Sequence, residues 1–209
     1  MPKRETLATA RRDEIINACA ALYETMSFKD ITIKEIGEQT SFTRTSIYNY
    51  FQTKEEIFLA LLQREYEAWI TDLESMLHGN KDMSVDEFSG ALAHTLERRE
   101  LLLKLMSMNH YDMEANSRME NLVAFKVAYG NSMRAVTCCL EKFFPQMTIG
   151  DIQRFVYAFF PFLFGIYPYT VVTEKQRQAL REAHADYVFL SIYEITKSMV
   201  ETLLRGCSK

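Results

Sequence analysis

Apolar residues recur along nearly the whole chain at three- and four-residue steps, and strand-like alternation is absent, so the pattern predicts an all-α fold of about nine helices. A first helix is expected from about Thr9 to Thr25, with Ile15, Ala18, Cys19, Leu22 and Met26 on one face. Ser27-Phe28-Lys29-Asp30 interrupts the pattern. Thr32 then opens a short helix through Gln39 that buries Ile33 and Ile36, Thr40-Ser41-Phe42 forms a tight turn, and Thr43 occupies the N-cap of a third helix, Arg44 to Tyr50, with Ile47 and Phe51 facing inward. A fourth helix runs from Thr53 to about Leu77, roughly 35 Å at 1.5 Å per residue.

Further helices are expected near 85–96, 98–111, 117–143, 151–167 and 175–204. Ser or Thr followed three residues later by Glu or Gln marks helix entries at Thr32/Glu35, Thr53/Glu56, Ser84/Glu87 and Thr173/Gln176. The segment 151–167 is apolar almost all round and has to be enclosed, and Pro161 within it should kink or break it. The last helix carries Val188, Ile192, Ile195, Met199 and Leu203 in a stripe too wide for one neighbour, which points to a subunit interface.

Composition alters this picture little. Hydrophobic residues are 48% and charged residues 25% of 209, ordinary globular values, and the polar N-terminus lacks a secretory leader's apolar core, so a cytoplasmic address is expected. Cys19, Cys138, Cys139 and Cys207 form no CxxC pair, and neither a metal nor a cofactor is expected; His110, Tyr111, Asp112 and Glu114 fit no ligand spacing. The net charge of −4 is unevenly spread. Residues 1–64 hold nine Lys or Arg against nine Asp or Glu, and the excess acid lies beyond. Lys3, Arg4, Arg11 and Arg12 make a small basic arm suited to phosphates or a minor groove.

Two short capped helices joined by a tight turn over residues 32–51 describe a helix-turn-helix, although spacing alone also admits a plain helical hairpin with a polar face. The stretch from Arg11 to about Leu61 resembles the N-terminal domain of TetR-family transcriptional regulators. The residues that carry the likeness are Thr32, Ile36-Gly37, Thr43-Arg44-Thr45-Ser46-Ile47-Tyr48, Phe51 and Lys54-Glu55-Glu56. Two positions depart from the family pattern: Gly37 stands where Ala is usual, and Ser41 where Gly is usual, which would place a Ser at positive φ.

The resemblance implies a helix-turn-helix domain over 1–55 and an effector-binding and dimerisation domain over 56–209, acting as a homodimeric repressor on a palindromic operator, with the dimer formed through the last two long helices so that Phe155 and Phe159 join the stripe of the final helix. It places Thr43, Arg44 and Thr45 in a major groove, with Ser46 and Asn49 beside them, Tyr48 and Tyr50 on backbone or a thymine methyl, and Thr32 and Lys54 on phosphates. Tyr48 fits equally well as packing under the recognition helix. A hydrophobic small-molecule effector is expected among Phe88, Leu92, Met106, His110, Tyr111, Phe125, Tyr129, Met133, Phe159 and Phe162. The alternative is a DNA-bound adaptor or activator without small-molecule control. Catalysis is not expected, since no nucleophile elbow, phosphate loop or zinc signature is present.

Overall fold

A computed structural model describes residues 2–108 and 110–206, with side chains from Leu7 onward. Lys3, Arg4 and Cys207 of the sequence reading therefore lie outside the described side chains. Among the described residues there are eleven α-helices and no strand: α1 Pro2–Thr25, α2 Ile33–Glu38, α3 Arg44–Ile47, α4 Lys54–Gly79, α5 Val85–Glu97, α6 Glu100–Met106, α7 His110–Ala115, α8 Met119–Phe143, α9 Ile149–Thr170, α10 Glu174–Glu182 and α11 Ile192–Gly206.

The chain forms two compact units. One comprises residues 2–64 together with 110–128; the other comprises 65–108 with 129–206. The units divide α4 after Arg64, and α7 and the first part of α8 join the N-terminal helices.

In the first unit, the buried residues include Ile15, Ile16, Cys19 and Tyr23 of α1, Ile36 of α2, Ile47 of α3, and Phe58 and Leu62 of α4. Tyr23 and Phe28 each meet the Phe58 ring edge-on, at 5.1 and 4.8 Å between centroids. In the second unit, α5 and α11 pack closely through Phe88, Leu92, Leu96, Ile192, Thr196 and Val200. Trp69 is fully buried, and its indole N–H donates to Thr95 Oγ1 at 3.0 Å, so the one polar atom of that ring is satisfied.

Two helices of the sequence reading each prove to be two. The expected helix at 98–111 ends at Met106, where the Ser107 hydroxyl bonds the Lys104 carbonyl at 2.8 Å, and α7 begins at His110. The expected helix at 175–204 stops at Glu182. His184 adopts φ 50°, and the Ala185 N–H turns back to the Leu180 carbonyl at 3.1 Å, which closes α10 with a left-handed cap. Ser191 and Glu194 then open α11 with a reciprocal capping box.

Conversely, α9 passes unbroken through Pro161 and Pro168. Tyr157, whose carbonyl loses its partner to Pro161, is 66% exposed, so water is at hand for the freed group. By length and apolar composition α9 passes for a membrane-crossing helix, yet Phe155, Val156, Phe159, Phe160, Leu163 and Ile166 are buried within the unit, as in the core helix of a globular body.

Candidate nucleic-acid interface

The helix-turn-helix is assembled by bonds within its own few residues and by two from outside. Thr32 caps α2 by accepting from the Lys34 amide at 3.1 Å, and its own N–H is taken by the Glu35 carboxylate at 3.1 Å. Across the turn, the Thr40 hydroxyl lies within bonding distance of the Gly37 and Phe42 carbonyls at 3.0 and 3.1 Å. The Ser41 amide and hydroxyl both donate to the carboxylate of Glu14 on α1. Ser41 needs no positive φ, since His184 is the sole non-glycine residue there among those described. The Glu14 carboxylate ties the turn to α1.

Thr43 stands at the N-cap of α3, but its hydroxyl pairs with that of Ser46 at 3.1 Å instead of capping the helix. Regular α3 geometry ends at Ile47, and the chain continues as turns to Phe51 through Tyr50 N–H to Ile47 O at 2.8 Å and Phe51 N–H to the same oxygen at 3.0 Å. Ile47 and Phe51 are fully buried, while Thr43, Arg44, Thr45, Tyr48 and Asn49 are exposed and Ser46 and Tyr50 half-buried. Tyr48, at 45% exposure, belongs to the surface, and its hydroxyl accepts from the Arg44 guanidinium at 3.3 Å. Arg11 lies over the Phe42 ring at 5.7 Å and Arg12 over Phe51 at 4.9 Å, which keeps two cations of α1 beside the motif.

Two residues assigned to phosphates are partly committed elsewhere. Lys54 Nζ donates to the carbonyls of Phe28 and Ile31 at 2.7 and 3.0 Å and sits 4.2 Å from the Phe28 ring centroid, so it ties the loop before α2 to α4. The Thr32 side chain is occupied as a cap.

Glu14 and Arg118 matter here and escaped the sequence reading. The buried Glu56 carboxylate, expected to close a box with Thr53, instead accepts from the Gln52 amide and from Arg118. Burial pushes the Glu56 carboxyl up, but the Arg118 guanidinium and the backbone donors outweigh it and hold the group down at about 2. No local spacing signals either residue, because their partners lie 27 and 62 positions away in the chain.

The ten candidate effector residues are divided between the two compact units. His110, Tyr111 and Phe125 belong to the first unit, the rest to the second. Phe88, Leu92, Met106 and Phe159 are sealed in the core, Phe125 is also buried, and Tyr111 points outward at 87% exposure. Tyr129 is wedged edge-on between Tyr66 and Phe160, each 5.7 Å away, and Phe162 stacks on Phe159 at 6.2 Å. Met133 borders a groove of about 460 Å³ with Thr137, Ile149, Ile152, Val156 and Tyr157. A second groove, of about 490 Å³, lies between α4 and α8, with Ile70, Leu73, Leu77 and Ala135 as its apolar lining and Glu67, Glu74, His78 and Arg134 among its polar groups.

Of the candidate interface residues, Phe155 and Phe159 are fully buried by their own chain and leave no surface for another. Val188 lies in the irregular segment before α11, and Ile192 is buried. Ile195, Met199 and Leu203 form a half-exposed row along α11.

Comparison with known proteins decides the family. Residues 15–61 match the model for bacterial regulatory proteins of the tetR family, and residues 63–209 match that for the Tetracyclin repressor-like C-terminal domain. The chain belongs to the TetR family. As a TetR-family transcriptional regulator, its helix-turn-helix is a DNA-binding domain. Among curated proteins it is similar to the HTH-type transcriptional regulator RutR of Escherichia coli K12, 23% identical over 73 residues, which is 35% of this chain and 34% of that protein. Among solved structures it is similar to the fatty acid degradation regulator FadR from Bacillus halodurans, with a TM-score of 0.60 and 14% identity over 94% of this chain and 95% of the other. It is also similar to RolR in complex with resorcinol, with a TM-score of 0.54 and 20% identity over 96% and 89%. At such identities these TetR-family likenesses concern the fold.

Proposed function

We propose that this TetR-family chain is a ligand-responsive repressor that binds a near-palindromic operator as a homodimer. The observation that carries the DNA part is the division of the recognition segment, in which Ile47 and Phe51 are sealed while Thr43, Arg44, Thr45, Tyr48 and Asn49 stand exposed beside them. A polar row so mounted suits base edges, and Arg44, steadied by Tyr48, presents a fork that matches guanine O6 and N7. Ser46 and Tyr50 flank that row, Lys54 keeps one N–H for a phosphate, and Thr32 contributes its exposed position at the head of α2.

Dimerisation is supported by the row Ile195, Met199 and Leu203 on α11, together with the uncharged outward positions Tyr157, Pro161, Gly165 and Pro168 of α9. Twofold symmetry then requires half-sites about one helical turn, 34–36 Å, apart. For the effector, the surface grooves on α8 offer about the volume that small hydrophobic ligands occupy. RolR, similar in fold, is known with resorcinol bound.

Selection of bound duplexes from a random pool tests this reading. Enrichment of an inverted repeat, bound by a species of twice the chain mass, is expected. Absence of any enriched sequence, or binding by a single chain, overturns it.

A further inference from the structure

The segment that enters α8 is bonded to the exit of the recognition helix. Arg118 Nε donates to Glu56 Oε1 at 2.7 Å and Nη2 to Glu56 Oε2 at 3.0 Å, the two-pronged geometry of a guanidinium on a carboxylate. The Arg118 backbone N–H adds a third bond to Oε1 at 3.0 Å, and Nη2 also reaches the Tyr50 carbonyl at 3.1 Å. Beside it the Thr53 hydroxyl donates to the Asn116 carbonyl at 2.9 Å. The Glu56 side chain is 1% exposed, so its charge depends on these donors and not on water.

Tyr50 stands where regular helix has ended and backbone carbonyls lack intrahelical partners. The same carboxylate that Arg118 holds also fixes the Gln52 amide at 2.8 Å, so residues 50, 52 and 56 are pinned to one guanidinium from 62 to 68 positions further along. From this network we infer that Arg118 is a positioning residue for operator recognition: by clasping Tyr50 and Glu56 it sets the pose of residues 44–51, and its loss lowers sequence discrimination.

The inference rests on the DNA reading above, and a ratio separates the two. The affinity of the full-length protein for a selected operator is divided by its affinity for a scrambled duplex of equal length. Loss of folded protein scales both numbers alike and leaves the ratio unchanged, whereas a displaced recognition helix weakens the operator term and spares the phosphate-driven one. Arg118→Ala is expected to lower the ratio about tenfold. Arg118→Lys, which keeps the charge but not the planar fork, should lower it about threefold. Glu120→Ala, which removes only the exposed partner of Arg118 Nη1, should leave it unchanged. A wild-type ratio in Arg118→Ala overturns the inference while the DNA reading stands; where that variant yields no folded protein, the ratio of Arg118→Lys decides in the same way. A wild-type protein without any preference between duplexes overturns both.

Discussion

The recognition segment and the interior of the second unit use aromatic and apolar residues to opposite ends. Around Ile47 and Phe51 a minimal core supports a short element whose remaining side chains are left outside, and the polar row is the product. Around Trp69, Phe88 and Phe159 the large side chains are turned inward, and the rings of Phe88 and Phe159 meet others edge-on. A motif that works by display is read from the residues that fail to be buried. A cavity has to be read from where packing stops, and composition does not report that.

The sharpest way to break this contrast is truncation on each side. Phe88→Ala should cost about 3–5 kcal/mol of stability, seen as a lowered denaturant midpoint, with the operator affinity of the folded fraction unchanged. Acid attacks the other side. The Glu56 carboxyl is held at about 2 against an ordinary value of 4.5, so its contribution is fully present above 4.5 and is lost as pH falls from 4.5 through 2. That loss is on the order of 2–3 kcal/mol, and Glu56→Gln should flatten the stability profile across this window in a pH-resolved melt.

Arg44→Ala should cost about 1–3 kcal/mol of operator affinity and relax preference at one base step, with the melting temperature unchanged because Arg44 is exposed. An unchanged affinity would remove Arg44 from recognition. Ser191→Ala, which strips the α11 cap, should lower stability by about 1 kcal/mol in denaturant titration. Gly37→Ala sharpens the comparison with the smallest effect. A methyl there meets Arg44 Cα and Cβ at 3.4 Å and Ile47 Cδ1 at 3.5 Å, ordinary contact distances, so the better helix former should stabilise the protein by about 0.5–1 kcal/mol.

What the sequence made legible is what is local. Three of the four capping boxes close as their spacing demands, at Thr32, Ser84 and Thr173, because each is settled within one turn of chain. The helix-turn-helix was legible for the same reason. The box at Thr148 escaped notice because its third position is Asp151 instead of Glu or Gln, and that at Ser191 because apolar residues on both sides disguised the break at His184 as continuous helix. Glu14 under Ser41 and Arg118 under Tyr50 were out of reach for a different reason. Their partners are set by how distant segments pack, and neither residue differs in its own neighbourhood from a solvated charge. For the effector residues sequence is a weak guide, since a Phe that fills a core and a Phe that lines a cavity look the same in one dimension.

The first compact unit is assembled from two stretches of chain, 2–64 and 110–128, and that sets a condition on modular engineering. A chimera that borrows the reading head by cutting after Arg64 inherits the acid at position 56 without the base that neutralises it, and leaves the hydroxyl at position 53 without its acceptor. Transplanting this specificity to a foreign sensor body therefore means carrying the distant second stretch as well, or supplying a substitute cation at the graft.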